Sequence, residues 1–370
     1  MTKSEVFFTS MRCEIGDSLL NKMSRVLDKA GLESLGLERK FVAIKIHFGE
    51  PGNLAFLRPN FAKTLADKIT GLGGRPFLTD CGTLYVGRRS HALAHMGAAQ
   101  ENGFWPATTG CQLIIGDGLK GTDDLEVPIE GGIRLKTAMI GRAIMDADTV
   151  FSLNHFKGHE LTGFGGAIKN LGMGSGSRAG KMAMHNDGKP KVLAKRCRGC
   201  GVCAKQCAQS AISFADKKAS IDGKACAGCG RCIGSCNHDA IVIDWDSAGE
   251  ALNAKMAEYA KAVVQGRPGF HVNVVNQVSP YCDCHSESDA AVIPDLGIFA
   301  SYDPVAVDAA SIDAANEATA LKGSIVDERP GNGSRDIFTR VHPGTDWRQQ
   351  LEHAERVGLG RRAYKLTVVR

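Results

Sequence analysis

The sequence predicts an α/β fold, a mostly parallel sheet with flanking helices, interrupted by a small cysteine-rich α+β segment. Three observations predict it. The first 160 residues alternate short β-branched runs with longer amphipathic stretches, the order of a parallel sheet. The same alternation resumes after residue 246. Between the two stretches, eight of the chain's 13 cysteines crowd into residues 190–245. The expected organisation is the first part of an α/β body over 1–189, an insert over 190–245, and the rest of the body with a C-terminal tail over 246–370.

Taken in order, strands are expected at 41–48 (FVAIKIHF), 76–80 (PFLTD), 112–115 (QLII) and 149–153 (TVFSL). Helices are expected between them at 60–71, 91–102 and 137–146. The helix at 60 follows Arg58-Pro59, and Gly71 and Gly73 close it, the usual asymmetry of proline at the start and glycine past the end. After the insert come a long helix at 247–265, strands at 271–278 and 297–301, and a helix at 304–320. The last fifty residues, rich in charge, glycine and arginine, read as a peripheral tail packed on the body.

The insert holds two copies of one pattern, Cys197-x2-Cys200-x2-Cys203-x3-Cys207 and Cys226-x2-Cys229-x2-Cys232-x3-Cys236. This is the bacterial-ferredoxin run, in which three thiolates grip one cubane and the fourth reaches across to the other. Two [4Fe–4S] clusters are expected, held as Cys197, Cys200, Cys203, Cys236 and Cys226, Cys229, Cys232, Cys207. Structural zinc also uses paired Cys-x2-Cys motifs, but it has no use for four cysteines per copy at this rhythm. The copies repeat with a shift of 29 residues, and Ala211-Ile212 aligns with Ala240-Ile241 at the start of an apolar run in each (AISF and AIVI). The insert therefore reads as a ferredoxin-like domain. One departure is that the proline usual after the fourth cysteine is Ala208 in one copy and Asn237 in the other.

Bulk properties exclude some classes. A hydrophobic content of 43% with 23% charged residues is that of a globular protein, and no apolar run approaches the ~18 residues of a membrane span. The first residues, MTKSEVFFTSMRCEIGDS, lack the basic-then-apolar order of a signal peptide. Cysteines in metal-ligand spacing point to a reducing compartment, so a cytoplasmic location is expected. The formal charge of +5 is nearly offset by about two negative charges on each oxidised cubane with its thiolates, so nucleic-acid binding is not expected.

In open α/β sheets the ligand site lies beyond the carboxyl ends of the strands. Here those ends are Lys45-x-His47-Phe48-Gly49-Glu50, Thr79-Asp80-Cys81-Gly82-Thr83, Asn154-His155-Phe156-Lys157-Gly158-His159-Glu160 and Tyr281-Cys282-Asp283-Cys284-His285. One strand-end histidine is unremarkable; four such ends on one rim make a pocket. Cys282 and Cys284 point the same way in an extended segment, which suits a soft metal, a third redox centre or a reactive thiol pair, or simply two inert cysteines beside a turn. Cys81, His155 and His159 could complete such a site if the fold brings them in. Cys13 and Cys111 default to the core.

The glycine-rich stretch from Gly163 to Lys181 can be read as a loop exposing N–H groups to an anion beside Lys169, Arg178 and Lys181, or as a flexible hinge into the insert. It is not a P-loop: Met182 replaces the Ser/Thr after Lys181. Gly174-x-Gly176-x-x-Ala179 formally fits a dinucleotide fingerprint but follows an expected helix, and the same match recurs by chance at Gly199, inside a cysteine motif.

HFGE near Glu50, TDCGTLY, NHFKGHELTGFGGAIKNLGMGSG, the twin cysteine motifs, CDCH and Ser301-x-Asp303-Pro304-Val305-Ala306-Val307-Asp308 resemble, from about residue 41 to 320, the Fe–S centre proteins that carry domain of unknown function 362 with a ferredoxin-type insert. The resemblance implies one α/β body with an inserted dicluster domain. It also implies that His47, His159, Lys169, Asn170 and Asp303, which sit on its motifs, line a shared site.

The expected function is an iron–sulfur redox protein that passes electrons between its clusters and a site in the body. In the leading version it is a ferredoxin-linked reductase of a small anionic substrate, which His155, Lys157, His159 and Lys169 bind or protonate, with a ferredoxin or reductase as redox partner. A non-catalytic electron carrier and a metal-handling protein are the alternatives.

Overall fold

The computed structural model describes residues 3–85, 87–185, 190–226, 230–242, 249–329 and 335–370. Eight strands form the main sheet: β1 Ser4–Ser10, β2 Phe41–Lys45, β3 Arg75–Asp80, β4 Gln112–Ile115, β5 Thr149–His155, β6 Gly269–Val275, β7 Gly297–Ser301 and β8 Tyr364–Val368. Their order is β8-β1-β7-β6-β5-β2-β3-β4. Only β7 runs against its neighbours; the other pairings are parallel. The carboxyl ends of β2, β3, β5 and β6 therefore open on one rim. β5 is buried along its whole length, as a central parallel strand covered on both faces must be.

Helices cover both faces. α1 (Leu19–Lys29), α2 (Pro59–Gly71) and α3 (Ala92–Glu101) pack on one, in a core with Val42, Ile44, Phe151 and Phe270. On the other lie α4 (Ala167–Ser175), α5 (Arg178–Met184), α6 (Gly249–Val264), α7 (Pro304–Glu317) and α8 (Arg348–Arg356). There Leu171, Met256, Val305 and Leu351 share a core with Ala43 and Val150. α4 and α6 approach closely at Gly172, where a Cβ would run into the Met256 carbonyl.

Several expectations need correction. The stretch 137–146, expected as a helix, is a strand Thr137–Gly141 paired with Asp124–Pro128, followed by one helical turn at Arg142–Met145. Its alternating small and apolar residues suit a half-buried strand, with Ala138 and Ile140 in the core. The C-terminal stretch is no peripheral tail: β8 adds a strand beside β1, and Ile337, Phe338, Trp347 and Leu351 enter the core. β1 itself was not among the expected strands. The glycine-rich stretch is neither loop nor hinge but mainly the helices α4 and α5. The first N–H groups of α4 are taken by Asp308, whose carboxylate accepts from Ala167 at 2.7 Å and Ile168 at 2.9 Å, so no anion can use them. Burial raises that Asp308 carboxyl to about 6 despite these bonds.

Residues 190–242 form a small unit. Each half is a short strand, a cysteine run with a helical turn, and a second strand. Lys191–Val192 pairs with Ile241–Val242, and Ile212–Ala215 with Lys218–Ile221, so the halves exchange strands. The helices Val202–Lys205 and Arg231–Ser235 pack on each other. The apolar centre is thin: Cys197, Cys203, Ala219, Cys232, Ile233, Ala240 and Ile241, completed by Leu84 and Met182 from the body. Cys229 lies outside the described residues. No helix among the described residues is long and apolar enough to cross a membrane.

Candidate functional site

A cavity of about 480 Å³ opens at the rim where β2, β3, β5 and β6 end. Its wall carries Arg89, Lys157, Lys169 and Lys181 against two carboxylates, Asp80 and Glu160, with His47, His155, His159, His185 and Cys284 among them. Leu153, Met173, Leu252 and Met256 supply apolar wall. A cavity with more fixed positive than negative charge, screened from water, suits a small anion.

Two linked charge networks hold the floor. Lys45, fully buried at the end of β2, donates to Asp80 Oδ1 at 2.8 Å and to Asn170 Oδ1 at 2.7 Å. Burial alone would raise Asp80, but the Lys45 ammonium, with His95 beside it, holds the carboxyl well below the usual range. On the other side Arg89 Nε donates to Glu50 Oε2 at 2.7 Å, and its Nη1 donates to His47 Nε2 at 2.7 Å. The Gly49 N lies 3.0 Å from His47 Nδ1. Burial and the Arg89 charge push His47 well below the usual imidazole range. His47 is therefore a neutral ring engaged at both nitrogens and able to accept at only one, unsuited to deliver a proton.

The segment after β5 crosses over the loop after β6. His155 Nδ1 meets Asp283 Oδ1 at 2.9 Å and its Nε2 meets the Asn276 carbonyl at 2.8 Å, so both ring nitrogens are engaged. Lys157 Nζ lies 3.5 Å from Asp283 Oδ2. Burial opposes ionisation of Asp283, but His155 and Lys157 keep its carboxyl below the ordinary range. The Leu161 and Thr162 N–H groups donate to His159 Nδ1 at 3.1 and 3.2 Å. The ring proton is thereby left on Nε2, 3.8 Å from Glu160 Oε1 and in hydrogen-bond contact with Cys282.

The neighbouring Cys284 thiol holds Cys282 well below the usual thiol range against burial, helped by Lys169, whose Nζ donates to Cys282 Sγ at 3.2 Å, and by His159. Cys282, with burial, pushes Cys284 well above that range. A thiolate beside an ammonium and a thiol is a strong nucleophile and metal ligand. Glu160 is pulled down to about 2 against burial by His159 and by His285, whose Nε2 lies 3.0 Å from Glu160 Oε1.

Of the residues singled out in the sequence, His47, His155, Lys157, His159 and Lys169 thus meet at one cavity, and Cys284, Cys81 and Asn170 join them. Asp303 does not. It follows β7, the one antiparallel strand, and so lies at the opposite rim, where it caps α7 by accepting from Val305 at 2.8 Å and Ala306 at 3.1 Å. Its place in a shared site is withdrawn, since strand direction decides the rim. Lys45, Tyr85 and Asp283 lie inside stretches the sequence marks, but it assigns them no role there; Arg89 lies outside all of them. Arg89 follows Arg88 directly, and nothing in the sequence tells the buried arginine from its exposed neighbour.

In the 190–242 unit a second, small cavity is lined by Cys197, Cys200, Cys203 and Cys236, one of the two crossed sets. N–H groups point at its sulfurs and at that of Cys207: Ala219 to Cys197 Sγ at 3.3 Å, Ala240 to Cys236 Sγ at 3.4 Å and Ala211 to Cys207 Sγ at 3.3 Å. These donors favour thiolates, and the Ala219 and Gly199 N–H groups lower Cys197 below the usual thiol range. Four cysteines around one cavity, with such donors at the sulfurs of two of them, are a donor set of the kind a cubane takes. The described cysteines are all free of disulfides.

Residues 42–313 match the family described as "Domain of unknown function (DUF362)". Among solved structures, the chain is similar to the lactate racemase apoprotein from Thermoanaerobacterium thermosaccharolyticum, at 13% identity and a TM-score of 0.39, over 73% of this chain and 50% of that one. It is also similar to a structural-genomics protein from Thermotoga maritima, at 12% identity and a TM-score of 0.42, over 80% of this chain and 58% of that one. The chain thus spans half the length of the first and 58% of the second. No curated protein matches it.

Proposed function

We propose that this chain, which belongs to the DUF362 family, is an iron–sulfur redox protein that reduces a small anionic substrate in the rim cavity. The eight motif cysteines would hold two [4Fe–4S] clusters in crossed sets, in a ferredoxin-like insert. When bound, the clusters supply electrons one at a time.

One observation carries the reading: the cysteine-rich unit and the cavity share a wall. Leu84 lines the cavity and also packs against Cys197, Cys203 and Cys232. α5 does the same with its two sides, Met182 entering the cysteine cluster while Lys181 faces the cavity. The separation is thus about one helix layer, on the order of 10 Å. Such closeness is needed for electron transfer and is not needed by a module that merely docks. Cys200, exposed on the unit, offers a side where a ferredoxin or reductase could hand over electrons.

Within the cavity the chain's own groups divide the work. Arg89, Lys157, Lys169 and Lys181 attract and orient the anion. The Nε2–H of His159 is the group positioned to give a proton; Lys169, whose ammonium Cys282 holds charged, binds the anion, and His47 and His155 are occupied in holding Arg89 and Asp283.

Anaerobically purified protein should contain about eight iron and eight sulfide per chain and show, once reduced, the spin-coupled resonance of two neighbouring cubanes. Zinc as the main metal would end the reading. With a panel of small carboxylates and oxoanions as oxidants, Lys169→Met should slow reoxidation of the reduced protein at unchanged iron content. Reoxidation indifferent to Lys169 would leave an electron carrier.

A further inference from the structure

We propose that Glu160, Cys284 and His285 form a mononuclear site for a divalent metal ion of the zinc class on the wall of the cavity, with one coordination position left for the bound anion. Their ligand atoms, an oxygen, a sulfur and a nitrogen, all lie within 4.8 Å of one another. All three residues line the cavity. They come from two segments that the parallel pairing of β5 and β6 brings side by side, Glu160 after the first and Cys284-His285 after the second.

An ion pair between Glu160 and His285 would account for two of the three groups, but not for a thiol within reach of both. The loop bearing Cys284 and His285 is also pinned in a way a surface turn does not require. Tyr85 donates to the Cys284 carbonyl at 3.3 Å, Asn53 to the His285 carbonyl at 3.0 Å, and the His285 N–H to the Cys282 carbonyl at 3.1 Å. These bonds fix two ligands from behind, as the outer partners of metal ligands do.

The donor set selects the ion. Calcium and magnesium take oxygen ligands, and copper(I) prefers sulfur; one each of oxygen, sulfur and nitrogen suits zinc or a neighbour of similar softness. A carboxylate and a thiolate balance a 2+ charge, with the imidazole neutral, and the ion would displace the Cys284 proton on binding. Three protein ligands are the number seen where a fourth position stays open for water or substrate. An anion held by Lys157 and Lys169 would then have one oxygen polarised by the ion, which acts as a Lewis acid. That role rests on the function proposed above; binding of the ion does not.

The test uses the whole protein with its iron in place, titrated anaerobically with cobalt(II), which reports a thiolate ligand by a sulfur-to-metal charge-transfer band. One equivalent should bind and zinc should displace it. Cys284→Ser should abolish the band, and Glu160→Gln and His285→Asn should each weaken binding on the order of 100-fold. Cys13→Ser, at an exposed sulfur outside the cavity wall, should change nothing. Iron content and the thermal midpoint are read on every sample. A misfolded Cys284 variant therefore leaves the other two to decide. A protein without iron fails the cluster reading on its own measurement, while the difference between wild type and Cys284→Ser still reads this site. A band that survives Cys284→Ser, or is lost only in Cys282→Ser, overturns the ligand set.

Discussion

The cavity floor and the cysteine-rich unit are built on opposite principles. The floor is held by the fold itself: fully buried Lys45 and Arg89 each find a carboxylate, and the strands beneath them are covered on both faces. Among the described residues, the unit at 190–242 has an apolar centre of seven of its own residues, three of them cysteines, with Val192, Ile212, Ile221 and Cys236 partly buried against it, and borrows Leu84 and Met182. So small a core leaves little to offset the entropy of ordering its backbone. On the proposed reading, the body brings its site ready-made, whereas the unit would depend on the clusters its sulfurs hold.

The largest expected effect follows directly. Stripping iron with a chelator under reducing conditions should abolish amide protection across 190–242 while the strands β2, β5 and β6 keep theirs, because ligand binding supplies folding energy only where it is needed. Hydrogen exchange followed by mass spectrometry reads this. Equal loss in both regions would erase the comparison.

Next in size is the pair at the floor. Arg89→Met leaves Glu50 buried opposite an apolar side chain and removes the donors to His47 and Tyr85. It should lower stability by about 3–5 kcal/mol. The double variant Arg89→Met, Glu50→Gln should recover part of the loss in chemical denaturation, with the iron content unchanged in both. Iron lost from the single variant would mean that the two regions do not stand apart.

The smallest effect is in pH. His271, buried in β6 and 2.9 Å from the Ser152 hydroxyl, is lowered by burial from the ordinary 6.5 to about 3. The unfolded chain binds its proton first, so the contribution of this group is whole above about pH 6.5 and shrinks as the pH falls toward 3. Near pH 5 the loss is about 2 kcal/mol. Asp308, raised to about 6, works in the other direction, favouring the fold as pH falls through that value, and so partly offsets the acid limb. His271→Gln should flatten the acid limb of the body's unfolding, measured by near-UV circular dichroism, and leave exchange in 190–242 unaltered.

The sequence told most where the signal is local. Six expected strands appear in the sheet, two of them, β4 and β7, at the expected bounds, because a short apolar run announces a strand within four to seven residues whatever its direction. The segment 137–146 misleads because its apolar residues fit a helical stripe as well as an alternating strand. The glycines from Gly163 to Gly180 misled for another reason: they serve close packing, as Gly172 does against Met256, and composition alone cannot tell a packed glycine from a flexible one.

What the sequence determined by itself is therefore the chemistry within short spans: the spacing of eight cysteines, the neighbouring sulfurs of Cys282 and Cys284, the histidines after β5. What only the tertiary structure decided is who meets whom. Asp283 finds His155 across 128 residues, Arg89 finds Glu50 across 39, and Asp303 is sent to the far rim by the reversal of β7. The terminal strand β8 closes the sheet beside β1 on the same terms. The physical reason is that spacing along the chain fixes geometry over a few residues only, whereas a buried ion pair depends on strand order and direction, which no short stretch of sequence contains.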